Sequence, residues 1–138
     1  MKRGLKKAQV GIEYMIIVGF VTLAIMSVLA LAMIYSDKIK DRIRLNQVEN
    51  FASQLINSAE SVYFSGEPSK TTIWLYLPDG ISELEILPNS IVITTHTSSG
   101  NNKREFDSKV PLSGELSTRS GIRKIILEAQ ESFLSIRE

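Results

Sequence analysis

The chain contains no cysteine and a single histidine, His96. The first absence excludes disulfides, a thiolate nucleophile and zinc sites built on cysteine. One histidine cannot by itself form a histidine-rich metal site. We therefore expect neither a metal nor a cofactor, and the sequence does not indicate the redox state of its compartment.

The sequence also lacks the excess of positive charge that would hold nucleic acid. Its 138 residues include 16 basic and 15 acidic side chains. Four of the basic residues precede residue 8, so acidic residues outnumber basic ones in the rest of the chain. These four are Lys2, Arg3, Lys6 and Lys7. Since binding to a phosphate backbone requires a basic patch, we expect no nucleic-acid partner.

Catalytic motifs are missing as well. There is no Walker A loop, no G-x-G-x-x-G, no G-x-S-x-G nucleophile elbow and no D-x-D-x-D-G calcium loop. His96 lies close to Ser98 and Ser99, but neighbours in sequence do not form a catalytic triad, so we interpret His96 as a solvent-facing loop residue. Glu83 and Glu85 share one face of a predicted strand, which is typical of a solvated surface. The sequence predicts a protein that is not an enzyme.

What the sequence does contain is a long uncharged stretch near its start. Residues 14–36 form a run of 23 residues without any charge, and as a helix this run would extend about 34 Å. That length crosses the roughly 30 Å hydrocarbon layer of a membrane, whereas the apolar core of a secretory signal usually has about 7–15 residues. We predict a single membrane span. The alternative is an overlong signal sequence that ends at Ala30-Leu31-Ala32.

The charges on the two sides of this run favour one orientation. Four basic residues precede it, while the basic residues that follow it are offset by Asp37 and Asp41. Positive charge is preferentially retained on the cytoplasmic side of a membrane. We expect a single-pass membrane protein with its N-terminus in the cytoplasm and its C-terminal domain outside the cell.

Glu13 is an exception within the apolar stretch that begins at Val10. A carboxylate inside a membrane costs on the order of 3 kcal/mol, and less near the interface, where it reaches water. One interpretation is a boundary residue whose side chain extends to the cytoplasmic surface. The other is a functional carboxylate that binds a positive group, and position alone does not decide between them.

Residues 6–14, KKAQVGIEY, resemble the class III signal peptide of archaeal type IV pilin precursors. The shared features are a short basic leader, a small residue followed by glutamine, a glutamate four positions later, an aromatic residue and a long apolar helix. The family often has serine where this chain has Gly11. The resemblance covers about the first 36 residues and implies a subunit of an adhesive cell-surface filament like a type IV pilus.

The resemblance also implies how the chain is processed. A membrane-embedded prepilin peptidase would cleave on the cytoplasmic side, between Ala8 and Gln9. Residues that this enzyme would recognise are Lys6, Lys7 and Gly11. The implied partners are the peptidase, the membrane and other pilin subunits, identical or different.

Cleavage at this position would create a charge that Glu13 can neutralise. The new α-ammonium lies on Gln9, one helical turn from Glu13. A carboxylate of the same or a neighbouring subunit at about 4 Å would attract it by on the order of 4 kcal/mol at an effective dielectric near 20, before desolvation is subtracted. Such a pair could set the axial register of apolar helices that slide easily in lipid. Gln9 and Glu13 are therefore our predicted assembly residues.

The helix is predicted to run from about residue 12 to about residue 63. No proline or glycine occurs between the apolar run and Gly66, and apolar residues recur there at spacings of three and four. These residues are Leu45, Val48, Ala52, Leu55, Ala59 and Val62. The stripe can pack on the protein's own C-terminal domain, or it can form a short dimeric coiled coil.

Beyond the helix the pattern changes to short alternating runs. The segment SGEPS at residues 65–69 ends the helix, because glycine adopts left-handed geometry and proline cannot continue a helix. The predicted strands lie at residues 72–77, 84–86, 91–94, 104–106, 110–116, 122–128 and 132–136, with a loop at 98–102. Such strands predict a small antiparallel β-sandwich. A helix over residues 121–138 is the alternative for the last segment.

Together these elements predict an α+β fold, with a long N-terminal helix packed on a small antiparallel β-sandwich-like head. The predicted segments are a leader (1–8), a membrane and assembly helix (9–36), an amphipathic helix (37–64) and a β-rich head (65–138). The predicted function is a major or minor pilin-like subunit. The alternative is a single-pass, membrane-anchored extracellular domain that binds a ligand or supports secretion. Trp74 and Tyr76 share a strand face, which suits core packing, a protomer contact or stacking on a sugar.

Overall fold

The computed structural model describes residues 10–138 of the chain and has the predicted α+β fold. One long helix, α1 (Lys2–Phe64), precedes the strands. The seven strands are β1 (Lys70–Leu77), β2 (Ile81–Leu87), β3 (Ser90–Thr97), β4 (Gly100–Asp107), β5 (Leu112–Gly114), β6 (Gly121–Ala129) and β7 (Leu134–Arg137). The chain divides into two compact units, residues 1–39 and residues 40–138, so that α1 contributes to both.

The end of α1 lies within one residue of the predicted position. The backbone N–H of Gly66 donates to the carbonyl of Tyr63 at 3.0 Å, and that of Ser65 donates to Ser61 at 3.2 Å. Gly66 has φ of +79°, in the left-handed region that glycine adopts without steric cost. These contacts satisfy carbonyl groups that the last helical turn would otherwise leave unpaired.

The strands form two sheets. Sheet A has the order β1-β6-β7-β5, and sheet B is the meander β2-β3-β4. All neighbouring strands pair antiparallel except β5 and β7, which are parallel. The predicted antiparallel head is confirmed except at this edge, where the pairing is parallel. The reason is topological: β7 forms a hairpin with β6 and thereby enters the sheet between β6 and β5, which runs in the same direction as β7.

Several predicted boundaries also need correction. The loop expected at residues 98–102 is a tight turn at Ser98 and Ser99, and β4 already begins at Gly100. Gly100 adopts φ of +118°, which explains why glycine stands at this turn. The strand expected over 110–116 is reduced to Leu112–Gly114, and the alternative helix over 121–138 is wrong, because β6 and β7 occupy that segment.

The core of the head lies between the inward faces of the two sheets and the second half of α1. The helix contributes buried side chains along one stripe: Val48, Phe51, Ala52, Leu55, Ile56, Ala59 and Val62. The sheets contribute residues such as Leu75, Ile93, Ile125, Leu127, Leu134 and Ile136. The predicted stripe therefore packs on the protein's own head, and it is not available as the seam of a coiled coil. Leu45 at its start is only half-buried.

Candidate assembly segment and head surfaces

The first described part of α1 presents apolar side chains on every side. All residues from Val10 to Lys40 are exposed, and no residue in the most apolar stretch of this helix is buried within the chain. By length and composition the helix is able to cross a membrane. A helix that is apolar all round needs a surrounding that is itself apolar, either lipid or other helices.

The polar side chains of this segment are adapted to such a surrounding. The hydroxyl of Thr22 donates to the carbonyl of Val18 at 2.7 Å, and that of Ser27 donates to Leu23 at 2.9 Å. Each hydroxyl proton is thus bound within the helix, so these side chains can enter lipid without an unsatisfied donor. The sequence interpretation did not consider them.

The predicted processing and assembly residues lie at the start of this segment. Glu13 is exposed on the surface of α1. Around Gly11 there is open space, and an added Cβ would meet no atom of the chain within 4 Å. The predictions for Lys6, Lys7, Ala8 and Gln9 fall outside the described residues. Packing within one chain therefore does not explain why residue 11 is glycine.

A polar cluster, which we call the helix clamp, joins α1 to two turns of the head. Asp41 accepts hydrogen bonds from the backbone N–H of Ser98 at 2.9 Å and from its hydroxyl at 2.5 Å, both on Oδ2. Arg44, one turn further along the helix, lies 3.4 Å from Asp79 through Nε and again through Nη2. Its Nη1 donates to the carbonyl of His96 at 3.2 Å. The clamp fixes the turns at residues 78–80 and 98–99 to the helix.

Backbone geometry brings the first of these turns close to the helix. Gly80 has φ of +77°, and a Cβ at this position would lie 3.1 Å from Nε of Arg44. The carbonyl of Gly80 also accepts a 2.7 Å hydrogen bond from the backbone N–H of His96, which joins the two turns to each other. A side chain at position 80 would both strain the turn and displace the guanidinium.

The clamp lowers the pKa of the Asp41 carboxyl below its ordinary value of 3.8. The largest cause is the hydrogen bond from the Ser98 hydroxyl, followed by that from the Ser98 backbone. Partial desolvation comes third and raises the pKa, and weaker Coulombic interactions, first with Arg44 and then with His96, lower it. The carboxylate is therefore the favoured form of Asp41 in the folded protein.

Sequence reasoning missed the clamp. It used Asp41 only in a charge balance and placed His96 in a solvent-facing loop. His96 is exposed at the end of β3, where its Nδ1 lies 3.0 Å from Oδ1 of Asn101. Ser98 hydrogen-bonds to Asp41, not to His96. The only sequence signal was the spacing of Asp41 and Arg44, which places both on one helix face.

Trp74 and Tyr76 lie on the outward face of sheet A, where the alternating pattern predicted that they share a side. Trp74 is 66% exposed and Tyr76 is 51% exposed, while Ile122 beside them is 72% exposed. Core packing is therefore excluded for both aromatic residues. A shallow groove of about 430 Å³ runs along Trp74 towards Arg119. Within residues 10–138 no group of three or more histidine or acidic side chains is arranged to hold a metal ion.

Comparison with protein-family models, with curated proteins and with solved structures yielded no match to this chain.

Proposed function

We propose that this protein is a structural subunit, major or minor, of an archaeal type IV pilus-like surface filament. The observation that carries the proposal is the contrast within α1. The second half buries its apolar stripe in the protein's own head, whereas residues 10–40 are exposed throughout. A filament built on bundled helices would bury the apolar part and leave the heads on its surface.

In this proposal the chain is first a single-pass membrane protein. The basic leader keeps the N-terminus in the cytoplasm, and the head lies outside. A prepilin peptidase removes residues 1–8 by cleavage between Ala8 and Gln9. The mature helix then leaves the bilayer as it joins other subunits, identical or different, in the filament.

Features of the apolar segment support close packing of such helices. Gly11 and Gly19 have open space around their Cα atoms, with no atom of the chain near an added Cβ. Glycine costs about 1 kcal/mol relative to alanine inside a helix, and neighbouring helices approach most closely where side chains are smallest. Glu13 would neutralise the α-ammonium of Gln9 in a neighbouring subunit and so fix the axial register.

The second candidate function is a membrane-anchored extracellular domain that binds a ligand. The exposed pair Trp74 and Tyr76, together with the adjacent groove, favours it, because aromatic faces stack on sugars and other flat surfaces. It requires neither cleavage before Gln9 nor assembly. The two functions therefore differ in the state of the N-terminus.

The experiment that separates them is mass spectrometry of the protein purified from its native membrane and from the sheared surface fraction. The filament proposal expects a mature chain that lacks eight residues and begins at Gln9, in both fractions. A chain that begins at Met1 would support a plain membrane anchor. A chain that begins at Met33 would indicate removal of a long signal sequence and would contradict both a membrane anchor and a pilin.

A further inference from the structure

The outward face of sheet A is both aromatic and basic. We call it the aromatic face; the strand registers place on it Lys70, Thr72, Trp74, Tyr76, Ile122, Lys124, Ile126, Glu128, Ser135 and Arg137. Trp74 is directly opposite Lys124, and Ile126 is opposite Arg137. Arg119 and Glu138 line the groove beside Trp74, and Glu138 pairs there with Arg123 at 2.7 Å. This face points away from the core, and the side chains of Trp74, Tyr76 and Ile122 are exposed to solvent in the single chain.

Three basic side chains on or beside the aromatic face have no acidic partner within the described residues. Lys124, Arg137 and Arg119 form no salt bridge there, whereas Lys70 at the far end of the face pairs with Glu128 at 3.7 Å. Unpaired guanidinium and ammonium groups around an exposed tryptophan can receive carboxylates from another molecule.

The outward face of sheet B has the opposite charge. We call it the acidic face; the registers place on it Glu83, Glu85, Lys103, Glu105 and Asp107. Glu83 accepts a hydrogen bond from the Thr94 hydroxyl at 3.4 Å, and Glu105 accepts one from the Ser90 hydroxyl at 2.7 Å. Glu85 and Asp107 have neither a salt bridge nor a side-chain hydrogen bond within the described residues. Four carboxylates and one lysine thus lie on this face, beside Leu87, Ser90, Val92 and Thr94.

We propose that the aromatic face of one copy of this chain packs against the acidic face of the next copy. This inference rests on the proposed filament function and specifies its head contacts. The two faces lie on different sheets, so the contact is heterologous: each copy offers one face and leaves the other free. Such contacts that do not close build an open helical array.

The chemistry of the two faces explains why they would pair. The apolar area of the contact comes from Trp74, Tyr76 and Ile122. Lys124 and the neighbouring arginines would lie opposite the carboxylates of the acidic face of the next copy. Contact between two aromatic faces, or between two acidic faces, would bring like charges together, which is unfavourable. A single contact of this size is weak, but subunits joined at their helices present their heads to each other at high effective concentration.

The absence of cysteine makes a direct cross-linking test possible in the full-length chain. Copies with Thr72→Cys on the aromatic face are mixed in equal amounts with copies with Leu87→Cys, at the exposed end of β2 on the acidic face. The mixture is oxidised mildly in detergent micelles, where heads are free to orient. Random encounter makes the mixed dimer about half of all dimers. Random pairing would make the mixed dimer about twice as abundant as either same-site dimer. We expect the mixed dimer to be about five times as abundant as either same-site dimer, because opposite charges favour this pairing.

Two controls define what the cross-link reports. Ser53→Cys, an exposed position of α1 that belongs to neither sheet, replaces Leu87→Cys and should give only the random proportions. The excess of the mixed dimer should decline as salt rises from about 50 mM to about 500 mM, because exposed charges are screened.

Charge reversal tests the pairing itself. Lys124→Glu in the Thr72→Cys copy should remove the preference, and so should Glu85→Lys in the Leu87→Cys copy. Combining the two reversals should restore it, because the opposite charges again face each other. Both positions are exposed, so the far-ultraviolet circular dichroism of each variant should match that of the parent chain.

The outcomes separate this inference from the filament proposal. Random proportions, or a predominance of same-site dimers, overturn the inference whether or not electron microscopy finds filaments on cells. The same holds if Trp74, the single tryptophan, changes its fluorescence only with anionic lipid vesicles while pairing stays random, because the aromatic face then contacts a membrane. A selective mixed dimer that responds to both reversals supports the head contact even where filaments are absent.

Discussion

The two halves of α1 share one helical geometry but differ in where their apolar side chains find partners. In the second half apolar residues form one stripe, and side chains such as Val48, Leu55 and Ala59 are fully buried against the sheets. In the first half apolar residues surround the helix, and large ones such as Ile16, Phe20 and Leu23 are all more than 60% exposed. The comparison shows that a stripe is satisfied within one chain, whereas a helix that is apolar all round requires partners outside it.

The transition between these halves coincides with the helix clamp. Asp41 and Arg44 bind the head immediately after the exposed part of the helix ends. Charged groups are costly to place in lipid, so a membrane span in this helix would have to end before this polar cluster.

Removing residues 1–36, which include the exposed apolar half of α1, should make the protein soluble in water without detergent. A fragment of residues 37–138 keeps the whole buried core, because the core residues lie between Val48 and Ile136. We expect a soluble protein that is monomeric at micromolar concentration and shows mixed helix and strand signals in circular dichroism, while the full chain requires detergent. Size-exclusion chromatography measures the oligomeric state. A stable dimer of the fragment, or a spectrum dominated by helix, would contradict the division of α1 into an external and an internal half.

The sequence predicted the two halves because both depend on local periodicity. An unbroken uncharged run and a stripe at spacings of three and four are properties of neighbouring residues, and so is the stop at Gly66. The parallel pairing of β5 with β7 and the contact between Asp41 and Ser98 join residues that are distant in sequence. No local pattern encodes such pairs, so neither the mixed sheet nor the clamp was predictable from the sequence.

Truncating a buried residue of the second half should destabilise the head strongly. Leu55 is fully buried between the helix and the sheets, so Leu55→Ala removes apolar contacts and leaves a cavity. We expect a loss of about 3–5 kcal/mol in the free energy of unfolding of the 37–138 fragment, measured with urea. Ser53→Ala, on the exposed side of the same turn, is the matched control and should change stability by less than about 0.5 kcal/mol. Equal effects of the two substitutions would show that the stripe is not packed on the sheets.

Replacing Glu13 should affect the first half without affecting the head. If Glu13 pairs with the ammonium of Gln9 in a neighbouring subunit, Glu13→Gln keeps the size of the side chain but removes its charge. The cost is about 3 kcal/mol in a dry site, equivalent to roughly a hundredfold loss in assembly. Insertion into the membrane should persist, since a neutral side chain is easier to place in lipid.

The measurement compares mature protein in the membrane with that in the sheared surface fraction. Glu131→Gln makes the same chemical change at an exposed position of the head and should leave the distribution unaltered. If Glu13→Gln reaches the surface fraction as efficiently as the parent chain, Glu13 is a boundary residue and has no role in assembly.

The smallest effect concerns Asp41, which belongs to the clamp at the transition between the halves. Its pKa in the folded protein is lowered from 3.8, chiefly by the Ser98 hydroxyl. A group with a lowered folded pKa contributes stability that is fully present above its unfolded pKa and is lost as pH falls through the folded value. At neutral pH we therefore expect Asp41→Asn to melt at a lower temperature than the parent 37–138 fragment. The difference in melting temperature should narrow as the pH falls below about 4, where the parent carboxyl also takes up a proton.

Asp107→Asn, at an exposed carboxyl without a hydrogen-bonding partner in the described structure, is the control for general charge effects. A melting difference for Asp41→Asn that stays constant from neutral to acidic pH would show that the Asp41 charge does not hold the turn at Ser98 to the helix.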